Sequence, residues 1–167
     1  MLSAIQLVAI AGFPLLVRAS VQTPTPTSCQ SSQKVMVNDV TIVNAKIGQT
    51  MTLNFTLVIK EPLTSNPTLA VTMKRQTGGS ISCINDIGSC TYKLCGGTKD
   101  FEKKLAQLWN NQCPVPAITV QETIEAKLES FIQFLIGFAP TTITIELKVT
   151  DGGASVGCQS FKVNIAA

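Results

Sequence analysis

A period-two alternation of apolar side chains, recurring in separate blocks, limits what this chain can fold into. Met51, Leu53, Phe55, Leu57 and Ile59 alternate with Thr52, Asn54, Thr56, Val58 and Lys60. Leu69, Val71 and Met73 repeat the pattern, as do Ile143, Ile145, Leu147 and Val149, and Phe161, Val163 and Ile165 end the chain in the same way. Successive side chains of a strand point to opposite faces, so each block predicts a β-strand with one face turned to an apolar interior. Gly78-Gly79 and Asp151-Gly152-Gly153 supply turns between blocks. From Val35 to Ile47 the apolar positions change phase around Asn38-Asp39, which fits either one strand kinked by a bulge or two strands. The expectation is a mainly β fold, a two-sheet antiparallel sandwich or cup of about seven or eight strands.

Two segments depart from this pattern. Over 99–112, Phe101, Leu105, Leu108 and Trp109 fall at helical spacing with Lys and Glu on the other faces, which predicts one short amphipathic helix capping the core. Over 119–128 two readings stand. Val120, Ile124 and Leu128 continue to Phe131, Leu135 and Phe138 at helical spacing, while Ile118, Val120, Ile124, Ala126 and Leu128 also alternate. The periodicity leans helical.

Residues 4–17 form an apolar run too short to span a bilayer and are followed by small residues, which predicts a secretory signal peptide over 1–19. Residues 20–28, polar and spaced by prolines, are expected to be a disordered tail, with the folded domain over 29–167. A secreted or lysosomal chain meets an oxidising lumen, so the six cysteines, an even count without a C-x-x-C pair, are expected to form three disulfides. Asn54-Phe55-Thr56 is a glycosylation sequon, and the alternation puts Asn54 on the outer face of its strand. There is no histidine, which removes the Ser-His-Asp and Cys-His nucleophile pairs and the commonest zinc ligand. The net charge is +3 with the bases spread along the chain, which leaves no footprint for nucleic acid. Asp86, Asp100 and Glu102 are read as solvated surface groups, so no catalytic residue, metal or cofactor is expected and the protein is not expected to be an enzyme.

The run 131–140 carries Phe131, Ile132, Phe134, Leu135, Ile136 and Phe138 and ends at Pro140. Turned inward it is core; turned outward it is a membrane-contact loop. The inward faces of the strands pose a matching choice, because they can meet and fill the interior or splay apart around an apolar ligand. Leu53, Phe55, Leu57, Leu69, Val71, Met73, Ile143, Ile145 and Leu147 are the candidate lipid-cavity residues. An immunoglobulin-like domain with a filled core lacks its usual tryptophan here, since Trp109 falls on the expected helix.

Several stretches resemble the ganglioside activator proteins, lysosomal sphingolipid activators of the ML-type lipid-recognition superfamily. These are Cys83-Ile84-Asn85-Asp86-Ile87-Gly88-Ser89-Cys90, Thr91-Tyr92-Lys93-Leu94-Cys95, Cys113-Pro114-Val115-Pro116 and Gly157-Cys158. The resemblance implies a β-cup around a hydrophobic cavity, pairing of Cys29 with Cys158, Cys83 with Cys90 and Cys95 with Cys113, and an extended 119–128. It also implies a non-catalytic lipid-transfer function: taking a glycosphingolipid from a transiently contacted membrane and presenting it to a lysosomal hexosaminidase-type glycosidase. The alternative within the superfamily is an extracellular lipid-sensing or scavenging protein with no enzyme partner. The chain departs from the family in two places. It lacks the extra disulfide between Cys95 and Cys113, and Gln76-Thr77-Gly78-Gly79-Ser80 stands where the family has an apolar, tryptophan-bearing loop.

Overall fold

The computed structural model describes residues 19–138 and 140–167; the expected signal peptide lies outside the described residues except for Ala19. The elements, in chain order, are strands β1 (Val21–Gln22), β2 (Thr27–Ser28), β3 (Val35–Val43), β4 (Thr50–Ile59), β5 (Thr68–Arg75) and β6 (Thr91–Lys93), helix α1 (Asp100–Gln107), strand β7 (Ile118–Lys127), helix α2 (Ile132–Ile136), and strands β8 (Thr141–Asp151) and β9 (Ala154–Ile165). They build two antiparallel sheets, β1-β3-β4-β7 and β2-β9-β8-β5-β6, in an open sandwich. Among the described residues no helix is long and apolar enough to cross a membrane.

The phase change near Asn38-Asp39 resolves as one kinked strand. The β3–β4 register shifts between Asn38 and Thr41, and Asp39 takes a positive φ of 52° at the bulge. Its carboxylate accepts a hydrogen bond from the Thr56 hydroxyl at 2.9 Å. The bulge restores the inward phase, so that Val40 and Ile42 are both buried.

The segment 119–128, whose periodicity leans helical, is extended through Lys127 and pairs with β4 along its whole length, from Thr50 opposite Lys127 to Ile59 opposite Ile118. Its exposure alternates residue by residue, with Ile118, Val120, Glu122, Ile124 and Ala126 on the less exposed face. A ten-residue ladder satisfies backbone groups that a helix would have satisfied internally, and tertiary pairing overrides local periodicity.

The stretch 20–28, expected as a disordered tail, is instead drawn into both sheets. Val21 and Gln22 pair with Val43 and Ile42, and Thr27 and Ser28 pair with Ser160 and Gln159. Gln22 reaches between the sheets: its Nε2 donates to the Asn164 carbonyl at 2.7 Å, and the Asn164 N–H donates to its Oε1 at 2.8 Å. The segment has little apolar surface, but strand edges need hydrogen bonds and not hydrophobic area, and it supplies them.

One long side of the sandwich is closed where β3 packs on β9. The Lys34 N–H donates to the Val156 carbonyl at 2.7 Å, the Cys158 N–H to Gln33 Oε1 at 2.9 Å, and the Val37 N–H to Gln159 Oε1 at 2.5 Å. Gly157 permits this approach, because a Cβ there would run into the Val35 carbonyl. The Cys29–Cys158 disulfide fastens the same side; Cys83–Cys90 and Cys95–Cys113 are the other two disulfides. No comparable packing joins β7 to β5 or β6 on the opposite side.

The helix over 99–112 is shorter than its periodicity suggests. After Gln107 the chain turns through Asn110 and Asn111, both at positive φ, and sets Trp109 into the interior at 2% exposure.

Cys29–Cys158 closes a loop with a sequence separation of 129. In the chain-entropy model a link of that span contributes about 5 kcal/mol. The Cys29→Ser/Cys158→Ser variant should therefore lose about that much unfolding free energy in urea titration; a loss below about 1 kcal/mol would show that the β3–β9 hydrogen bonds hold the side closed without it.

Candidate functional site

Between the sheets lies an apolar cavity of about 350 Å³, within the range of ligand pockets. Met51 and Ile59 of β4 both line it, so it runs about 26 Å along the strands at ~3.3 Å per residue. All nine candidate cavity residues, Leu53, Phe55, Leu57, Leu69, Val71, Met73, Ile143, Ile145 and Leu147, are in its wall. Only Ile143 among them is buried; the other eight keep intermediate exposure although they point between the sheets. That combination distinguishes a hollow from a filled core.

Sequence reasoning did not place several other wall residues. Ile124 and Ala126 come from β7, and their alternation was the available signal. Phe101, Leu105, Leu108 and Trp109, from α1 and the turn after it, cover one end with Tyr92; helical spacing showed their apolar face but not what it covers. The Tyr92 and Phe101 rings lie 4.6 Å apart.

Ionisable groups in the wall are few. Asp86 is engaged by Lys99 at 3.4 Å and Lys127 by Glu129 at 2.8 Å. The Tyr92 hydroxyl donates to the Asp86 carbonyl at 3.0 Å, and burial, followed by the Asp86 and Glu102 charges, pushes its pKa up to about 12. It stays a neutral phenol. Glu122 occupies an inward position on β7 amid apolar neighbours.

Glu102 is not the solvated surface group expected but a 5% exposed carboxylate that holds α1 in place. It accepts hydrogen bonds from the N–H groups of Lys93 at 2.8 Å, Thr98 at 2.9 Å and Lys99 at 3.0 Å. The bonds from Lys93 and Lys99 hold its pKa below the ordinary value. Asp100 pairs with Lys103 on the surface, and Asp86 with Lys99. Cys83, Asp86 and Cys90 are grouped closely enough to suggest metal ligands, but the two sulfurs are joined to each other and offer no thiolate.

The run 131–138 divides in two. Ile132 and Ile136, four apart on α2, are buried and line the cavity, and Leu135 packs against the same cluster. Phe131, Phe134 and Phe138 point outward at 44%, 81% and 79% exposure. Grouping all six as one contact loop is thus corrected: a helical turn shares them between interior and surface. Arg75 Nε donates to the Leu135 carbonyl at 2.7 Å and ties α2 to the end of β5, while Gly137 at φ 95° lets the chain leave α2 toward β8. Asn54, between Leu53 and Phe55, lies on the face away from the cavity, where its Oδ1 accepts from the Thr123 hydroxyl at 2.7 Å.

No family model matches the chain, and no curated protein matches its sequence. Among solved structures, it is similar to a Niemann-Pick type C2 protein from Japanese carpenter ant, at 9% identity and a TM-score of 0.47, over 83% of this chain and 97% of that one. It is also similar to parts of two larger proteins. One is the Bacteroides uniformis β-glucuronidase, at 12% identity and a TM-score of 0.36, over 86% of this chain and 13% of that one. The other is a putative β-galactosidase from Bacteroides fragilis, at 13% identity and a TM-score of 0.34, over 86% of this chain and 16% of that one.

A carboxylate whose folded pKa is depressed stabilises the fold above its ordinary pKa, and the contribution is lost as pH falls through the lowered folded value. Glu102→Gln should cost about 1–3 kcal/mol at neutral pH. Below the ordinary value of 4.5 its stability should fall less steeply than that of the wild type. Denaturation midpoints followed from neutral to acid pH test this, and parallel curves would rule the role out.

Proposed function

We propose that the protein is a non-catalytic lipid carrier of the secretory or lysosomal lumen, which takes the hydrocarbon part of a membrane lipid into the cavity between its sheets. The observation that carries this reading is the set of inward-facing Leu, Ile, Val, Phe and Met side chains that stay only partly buried around a hollow of about 350 Å³. Each buried methylene is worth about 0.8 kcal/mol, so an acyl chain of some fifteen carbons costs on the order of 12 kcal/mol to expose to water. A wall so poor in polar groups offsets that cost by area alone. Its length also accommodates a chain with room to spare, because one leaflet contributes only about half of a ~30 Å hydrocarbon core.

The exchange surface in this reading is α2. Phe134 of α2 and the flanking Phe131 and Phe138 enter the membrane while Ile132 and Ile136 of the same turn border the cavity, which places the lipid next to its destination. The three disulfides suit an oxidising lumen, and an Asn54 glycan would project from the sheet face away from the cavity. The finer reading, supported by the resemblance of the cysteine segments, is presentation of a glycosphingolipid to a soluble hexosaminidase-type glycosidase. Its test is ganglioside hydrolysis by such an enzyme with and without the protein.

Delipidated protein should take up a fluorescent acyl-chain lipid, and Val71→Trp/Ile145→Trp, which fills the hollow, should bind it at least about tenfold more weakly without losing thermal stability. Equal uptake by both forms would remove the cavity from the mechanism. Phe134→Ser/Phe138→Ser should keep lipid uptake but bind vesicles about a hundredfold less tightly. Unchanged vesicle binding would move the membrane surface elsewhere.

A further inference from the structure

Trp109 is the chain's only tryptophan, is 2% exposed, and stands in the cavity wall at the end covered by α1. Its indole Nε1 is the one buried side-chain polar atom among the described residues without a hydrogen-bond partner. Three other polar groups of the wall are committed: the Tyr92 hydroxyl donates to the Asp86 carbonyl, the Asp86 carboxylate meets Lys99, and Gln159 Oε1 accepts from the Val37 N–H. A buried donor left unpaired is costly and usually marks a missing partner. Building on the carrier reading above, we propose that Trp109 is a specificity residue: it donates to an uncharged oxygen of the ligand, a carbonyl, ester or hydroxyl, held at the α1 end of the cavity.

The chemistry of that end restricts the class. An indole N–H donates and cannot accept, so the ligand atom must carry a lone pair. A carboxylate or phosphate would have to be buried, and Lys99, 5.6 Å from the Tyr92 ring centroid, is already paired with Asp86. A bare hydrocarbon would fill the space but leave the donor unpaired. The preferred occupant is therefore a long apolar molecule with a neutral acceptor that reaches past the acyl-binding stretch to the aromatic end formed by Tyr92, Phe101 and Trp109.

The test is competition between methyl palmitate and hexadecane for cavity-bound N-phenylnaphthylamine, read together with the single indole N–H proton resonance. Methyl palmitate should displace the dye about tenfold more effectively than hexadecane and move the indole resonance downfield, whereas hexadecane should leave it in place. Trp109→Phe should bring the two compounds to equal displacement. Equal displacement by the two compounds, or a resonance that methyl palmitate does not shift, overturns the Trp109 assignment and leaves the cavity reading standing. Failure of both compounds to displace the dye overturns the carrier reading and this inference with it. The resonance is measured on the wild-type chain, so the outcome holds even if Trp109→Phe does not fold.

Discussion

The structure depends on closure along a single side. Where β3 meets β9, the Cys29–Cys158 link, the side-chain bonds of Gln33 and Gln159, and the bare backbone at Gly157 bring the sheets together. On the other side β7 stays apart from β5 and β6. Two apolar faces hinged on one edge cannot interdigitate along their whole width as the faces of a filled sandwich do. The deficit falls on Leu53, Phe55, Leu57, Leu69, Val71, Met73, Ile145 and Leu147, which remain only partly buried in the interior. Such a hollow is costly for a free protein, and that cost makes a hydrocarbon guest favourable.

The two ends of the hollow are finished differently. At one, α1 is anchored by the buried Glu102 carboxylate and covers the space with Phe101, Leu105 and Trp109. At the other, a five-residue turn tied down by Arg75 does the same job with two isoleucines. The first end is aromatic and rigidly hydrogen-bonded. The second puts three phenylalanines into solvent, and a soluble surface gains nothing from them unless something apolar covers them.

Much of the fold was legible because period-two alternation is a local property: β4, β5, β8 and the end of β9 follow it directly, and the phase slip at Asn38-Asp39 marked the bulge in β3. The nine candidate wall residues came from the same pattern and all line the cavity. The misses share one cause, dependence on partners distant in sequence. Residues 20–28 look unable to fold until the free edges of β3 and β9 are present. The segment 119–128, by contrast, was expected extended on the resemblance although its periodicity leans helical, and pairing with β4 selects that form. Glu102 looked like a surface charge because its three backbone donors come together only when the 93–99 loop folds against α1.

By itself the sequence determined which side chains face inward, since a strand's alternation needs no knowledge of its neighbours. It also determined that residues 131–138 could not all be satisfied as an ordinary polar loop. Whether the inward faces touch or stand apart was decided by tertiary structure, because that separation is set by where the sheets are fastened, and Cys29, Val35 and Gly157 meet only in the folded chain. Tertiary structure likewise decided which of the apolar residues of 131–138 face the cavity and which face water, since one helical turn must face both ways at once.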